Sequence, residues 1–391
     1  MRRLIAFALT LAFGFSALAV DSETWRDPKL GYRQKFTFTA ATATCPQFPV
    51  AIVGNSTYFK IAKGRMKTGC WAVFDKDGYQ WYGEEVSLSD DGTYHTFEFH
   101  ASLSTFDLYT AKTALWLYYD PTNAPTSSQV GATGSANGKA VWGAYKAVWH
   151  FNETSGDCAD STGNGNTLTT TFVPTYSKTG QIGKCLLFDD ANSQYLTYAG
   201  GCGISATNFT LSCWVKSDDT DIRQDVIASY NYGGDIAGYL CLMGATAGDP
   251  VHLRSYREAL AASATTTGYS RDTWHHIAGT VSTNTSRDAY IDGGSKGSDS
   301  TDAQAGAPSL TEVGRSSTGN YLSGYVDEVR IAVAHSDGWI TSEYASGAPG
   351  NGLTPDGSGE QTMPAGGNVP LNILDANTPF GPGWINTRKS R

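Results

Sequence analysis

The chain has 391 residues, enough for two or three domains and at least one full hydrophobic core. Only 17% of it is charged and 44 residues are glycine, a balance that favours many short strands joined by turns, so an all-β fold is expected. With 28 basic against 37 acidic residues and a formal charge of −9, it lacks the basic footprint that nucleic-acid binding requires.

The first 19 residues carry Arg2 and Arg3, an apolar run from Leu4 to Phe15 and the small-residue pattern Ala17-Leu18-Ala19. This predicts a signal peptide cleaved after Ala19, with an uncleaved anchor as the alternative. No later segment approaches transmembrane length, so the mature protein is expected to be exported, either secreted or at the cell surface, without a membrane span. Cleavage leaves 26 basic against 37 acidic residues, a formal charge of −11. Its bland role is solubility; its sharper one is attraction for divalent cations.

Residues 20–121 form a first unit. Lys35, Thr37 and Thr39 alternate with Phe36, Phe38 and Ala40; FPVAIV is a continuous apolar run; CWAVFDKDGYQWYGEEV reads as two strands around Asp77-Gly78; HTFEFHA and ALWLYYD close the unit. Five or six strands with hairpin turns predict a β-sandwich. Residues 122–139, rich in Ser, Thr, Gly and Ala, read as a linker.

A second unit spans 140–345. In NFTLSCWVK, Phe209, Leu211, Cys213 and Val215 share one face and Thr210, Ser212, Trp214 and Lys216 the other, which suits a strand inside a two-sheet sandwich. Asp292-Gly293 marks a hairpin turn. In GYVDEVRI, strict alternation puts Tyr325, Asp327, Val329 and Ile331 on one face and Val326, Glu328 and Arg330 on the other. Residues 346–391 are rich in Gly and Pro and read as a flexible tail.

Two resemblances follow from these segments. Trp25, Tyr32-Arg33, Phe48-Pro49-Val50, FDKDG with Tyr82 and Glu84, and LWLYYD make the first unit similar to an uncharacterised bacterial extracellular family with no known activity. AVWHFNE, Asp160-Ser161-Thr162-Gly163-Asn164, GQIGKCLLFDD, NFTLSCWVK, DTWHHIAGTVS, DAYIDG, EVGR and GYVDEVRI occur in the order and spacing of a concanavalin A-like lectin/glucanase domain, laminin-G-like subgroup. That resemblance implies a jelly roll in which AVWHFNE pairs beside GYVDEVRI, bringing the Asp160 loop near Asp327. It also implies recognition of extracellular glycan or a surface protein. A structural module of a cell-surface or virion appendage is the alternative, and a glycoside hydrolase or lyase a third.

Catalytic patterns are weak. Glycosidic cleavage needs two carboxylates about 5 Å apart on one face, and alternation sends Asp327 and Glu328 to opposite faces, so the chain reads as non-enzymatic. Gly293 to Gly297 matches G-x-S-x-G without the following helix, and His275-His276 lacks a zinc-binding pattern, reading as one packed and one exposed histidine. Relatives in the resemblance hold Ca2+ between loops, which implies Asp160, Asn164 and Asp327 as ligands. The alternative is that Asp160 ties its own turn and Asp327 accepts backbone hydrogen bonds. Among the aromatic residues, Trp214, Tyr230 and Tyr232 are the candidate ligand-binding rings. In an oxidising compartment Cys45 with Cys70, Cys158 with Cys185, and Cys213 with Cys241 would keep bridges within units and leave Cys202 free, although spacing does not determine connectivity.

Overall fold

The structure is a computed structural model that describes residues 25–38, 45–55, 57, 59–102, 114–231, 235–257, 260–303, 306–316, 319–348 and 353–363. Residues 1–19, Tyr232 and most of the C-terminal tail lie outside the described residues. The first unit contributes β1 (Tyr32–Phe38), β2 (Val50–Gly54), β3 (Trp71–Asp75), β4 (Tyr82–Asp90), β5 (His95–Ser102), β6 (Ala114–Tyr119) and β7 (Val130–Ala132), followed by α1 (Ala136–Val141). The second contributes β8 (Tyr145–Trp149), β9 (Thr169–Phe172), β10 (Thr175–Thr179), β11 (Lys184–Phe188), β12 (Tyr195–Tyr198), β13 (Phe209–Ser217), β14 (Arg223–Tyr230) and β15 (Ile236–Met243). It continues with β16 (Pro250–Tyr256), β17 (Leu260–Gly268), β18 (His275–Thr283), β19 (Ser286–Ile291), β20 (Gly294–Asp299), β21 (Leu310–Val313), β22 (Gly324–Ala332) and α2 (Asp337–Gly347). A last strand, β23 (Leu353–Thr362), returns to the first unit.

The protein is all-β but for two short helices, and its strands form two sandwiches. In the first, the sheet β23-β1-β6-β3 faces the sheet β2-β5-β4-β7 across a core that includes Phe36, Trp71, Phe97, Phe99 and Leu117. In the second, the path β10-β11-β22-β13-β18-β19-β20, with β8 also on β22, faces β17-β16-β15-β14-β21-β12-β9. Leu211, Cys213 and Val215 from β13 meet Leu240, Leu242 and Leu253 in that core, as period-two alternation requires. β8 pairs with β22, Trp149 opposite Val329, so the expected joining of first and last strands is present.

Three expectations are corrected. The stretch 122–139 is built into the fold: Thr126 donates to Asp27, β7 runs parallel to β4, and Ser135 caps α1. The tail is not uniformly flexible, because β23 pairs antiparallel with β1 while Tyr119 donates to Glu360 at 2.9 Å and Arg33 to Gln361 at 2.6 Å. Its segment fills an edge that β1 would otherwise expose, an advantage composition alone does not register. The two units also do not stand apart. Phe48, Val50 and Ile52 share one core with Trp142, Val148, Ala332 and Trp339, so the outer face of the eight-stranded sheet is covered by the first sandwich and α2.

Candidate functional site

The covered face contains a buried polar centre. On β5, Phe97, Phe99 and Ala101 point into the first sandwich, so Glu98 and His100 point away from it, toward the second. Glu84 on β4 is registered opposite His100 and is also fully buried. His150 follows β8 and Glu328 lies in β22.

The position of Glu328 overturns the alternation argument. Val326, Val329 and Ile331 all lie in the sandwich core, so the side-chain phase slips by one residue at 327–328. The cause is a β-bulge: the β13–β22 register shifts between Ser212 and Trp214, and Glu328 takes a left-handed φ of 51°. Asp327 and Glu328 therefore share the outer face instead of diverging. Both are essentially inaccessible, at 0% and 2% exposure, so no polysaccharide chain reaches them as they stand.

Within the centre His150 Nδ1 lies 2.5 Å from Glu328 Oε1 and 3.4 Å from Glu98 Oε1, while its Nε2 is 3.2 Å from Glu84 Oε2. His100 Nε2 is 3.2 Å from Glu98 Oε1, and the two imidazoles stack at 4.7 Å. Arg330 joins Glu328 at 2.6 Å to Glu343 at 3.2 Å. Burial opposes the charge on Glu328, but His150, Arg330 and His100 hold its carboxyl well below the usual range. Burial likewise opposes a proton on His150, yet Glu328 and Glu84 outweigh it and raise that imidazole well above its ordinary value. Burial and the adjacent Glu328 push Glu98 and Asp327 well up, and burial pushes His100 well down.

The three proposed calcium ligands do not fit one ion. Asp160 is occupied by hydrogen bonds from Val148 N, Thr162 N, Thr162 Oγ1, Asn166 N and Asn166 Nδ2, which tie its loop to β8. Asn164 uses its amide on the Lys146 carbonyl. Asp327 accepts from Ile182 N at 2.8 Å and sits with Glu328 and Glu98 instead. The resemblance-implied Ca2+ set is thus two separate structural roles.

The proposed disulfides are also corrected. None of the seven cysteines is in a disulfide, and all are buried. Cys213 faces the core of the second sandwich, whereas Cys241 lies on the opposite face of the partner sheet, and Cys45 packs against Ser342 of α2. Burial pushes the Cys202 thiol up to about 12 and Cys158, Cys185, Cys213 and Cys241 higher, so these behave as small apolar residues. Cys70 shifts up less, again through burial first.

Trp214 faces away from its own core, as alternation predicts, but is only 3% exposed. It packs with Ala51, Ile182 and Ala348, its ring 5.6 Å from Tyr344 and 5.4 Å from His276. Alternation within its strand does not register this cover, which comes from Ala51 of the first unit and from Ile182 and Tyr344 at a distance in the second. His275 and His276 are likewise both buried, His275 between Asp292 and Ser270 N.

Tyr230 does lie on an outer face, that of the seven-stranded sheet, but donates its hydroxyl to Glu312 at 2.7 Å and is 5% exposed. Leu240, Leu242, Val251 and Leu253 point inward there, so Tyr239, His252 and Arg254 point outward. Around them Arg223 grips Asp225 through two hydrogen bonds of 2.8 and 2.9 Å, and Arg315 grips Glu312 at 2.9 and 2.6 Å with its guanidinium 3.5 Å from the Tyr195 ring centre. Arg254 makes no ion pair with a carboxylate among the described residues, and with burial and Arg223 it pushes His252 down. Tyr256, 41% exposed, borders the face at one end. Sequence reasoning missed the three arginines: Arg223 and Arg254 lie in strands without a motif, where the alternation of VHLRSY was the available signal for Arg254, and Arg315 follows β21 in EVGR, a segment that pointed only to the fold.

The second sandwich is a jelly roll, and residues 190–340 match the family model of the concanavalin A-like lectin/glucanases superfamily. The chain is similar in structure to domain 4 of AbnA, a GH43 extracellular arabinanase from Geobacillus stearothermophilus, solved in complex with arabinotriose. Identity is 21%, 50% of this chain and 96% of that one are covered, and the TM-score is 0.39. It is also similar to the binding domain of Paraclostridial Mosquitocidal Protein 1 (17% identity, 52% of each chain, TM-score 0.42). The botulinum neurotoxin type G receptor binding domain is a third similar structure (12% identity, 51% and 50%, TM-score 0.40). The chain spans about half the length of each toxin domain. No curated protein matches the chain.

Proposed function

We propose that the chain is an exported recognition protein that binds extracellular glycan through the outer face of the seven-stranded sheet. The observation that carries this reading is the set of outward guanidiniums on that face. Arg223 and Arg315 are fixed by carboxylates, and Arg254, half-buried beside Tyr239, has none among the described residues. Pre-organised planar donors beside aromatic rings suit sugar hydroxyls and carboxylates. The face lies almost wholly within residues 190–340, the region matched to a superfamily that includes lectins, which supports the same reading. Fold alone does not fix the ligand, so the site's own chemistry selects the test.

Immobilised neutral and uronic-acid glycans, presented to the full chain, should retain it without releasing products. A surface protein as partner would leave every glycan column unbound. Soluble product from polysaccharide would restore the hydrolase reading.

A further inference from the structure

We propose that Glu98, His100, His150 and Glu328 form a divalent transition-metal site that clamps the two sandwiches together. This rests on the buried centre and is independent of the glycan reading. One ligand atom from each residue, two ring nitrogens and two carboxylate oxygens, lies within 4.8 Å of all the others. A tetrahedral Zn2+ with bonds of about 2.0–2.1 Å holds its ligand atoms roughly 3.3–3.5 Å apart. The separations of 3.2 Å (His100 to Glu98), 3.4 Å (His150 to Glu98) and 3.9 Å (His100 to Glu328) already bracket that range. His150 lies 2.5 Å from the other oxygen of Glu328, Oε1, the length of a charge-assisted hydrogen bond whose proton a cation would replace, whereas the 3.9 Å separation from His100 is to Oε2.

Three further observations point to a cation. Glu84, Glu98, Asp327, Glu328 and Glu343 are all buried, and Arg330 is the one permanently charged cation that touches the group among the described residues. Buried carboxylates in such excess require protons or a metal. Among the described residues Glu98 Oε2, Glu84 Oε1 and Asp327 Oδ1 have no hydrogen-bond partner, although their residues are fully buried. A supporting shell is in place at His150, while His100 Nδ1 has no hydrogen-bond partner among the described residues. With His150 Nδ1 on the metal, its Nε2–H donates to Glu84 Oε2 at 3.2 Å, and Glu84 is held by Trp142 Nε1. A cleft of about 190 Å³ lined by residues that include Val86, Thr133, Asn152 and Glu153 touches the centre at His150, which alone of the four ligands borders it.

The donor set selects the metal. Two imidazoles with two carboxylates suit Zn2+ or Co2+, whereas Ca2+ takes six to eight oxygens. The full chain, stripped with chelator and desalted, is therefore titrated with Zn2+, Co2+ and Ca2+. One equivalent of Zn2+ or Co2+ should bind, Co2+ giving the visible absorption of a four-coordinate ion, and the thermal midpoint should rise; Ca2+ should do neither. Glu98→Gln and His100→Gln should each weaken binding at least 100-fold and Glu84→Gln about 10–100-fold, while Asp160→Asn leaves it unchanged. A stripped, folded wild-type chain that takes up neither Zn2+ nor Co2+ would overturn the proposal, whatever the variants do. So would stoichiometric binding that survives both ligand substitutions.

Discussion

Trp214 and His276 show what burial does to single residues. Each lies on the outer face of the eight-stranded sheet, Trp214 covered by α2 and by Ala51 of the first sandwich, His276 by Tyr344 of α2 beside Trp214. His276 is 1% exposed, and burial, aided by Arg330 and opposed by Asp292, pushes it down to about 3. An imidazole depressed in the fold contributes its full stability above the unfolded value of about 6.5 and loses it as pH falls toward the folded value. By pH 5 that loss is about 2 kcal/mol. His276→Gln should therefore lose less stability than wild type between pH 7 and 5 in urea titrations; an identical loss in both proteins would show that His276 is not buried neutral. The face of Trp214 was legible in the alternation of NFTLSCWVK, but its cover was not, because Ala51, Tyr344 and Ala348 all lie far from it in sequence.

At the scale of elements, the strands of both sandwiches were legible from period-two patterns and turn residues, as in HTFEFHA and NFTLSCWVK. The bulge in β22 was not. Nothing in VDEVRI marks it except that two acids interrupt an apolar run, and only the partner strand forces the phase slip. That one inserted residue assembles the buried centre. Likewise, LTPDGSGEQT carries no strand pattern, since β23 is selected by the open edge of β1 and by Glu360 and Gln361 finding Tyr119, Arg65 and Arg33. Removing residues 349–391 should lower stability by a few kcal/mol, at about 0.5–1.5 kcal/mol per hydrogen bond. Urea denaturation of the truncated chain with an unchanged midpoint would mean that β23 contributes nothing.

For the whole molecule, the shared core makes two recognisable units into one cooperative body. Trp339 of α2 packs on Phe48 at 5.2 Å, Ala51 N donates to Ser346 Oγ at 2.8 Å, and Glu98 meets His150 across the junction. Elements that share buried contacts to this extent unfold together, so calorimetry should record a single transition, and two separated transitions would contradict the shared core. With one face of the second sandwich covered in this way, the outer face of its other sheet is left for recognition. Comparing glycan affinity of Arg254→Ala with that of Trp214→Phe, a milder change than truncation in a buried site, tests this directly. The account predicts that Arg254→Ala abolishes retention on the glycan that wild type binds while Trp214→Phe retains it; loss with Trp214→Phe and unchanged binding with Arg254→Ala would contradict it.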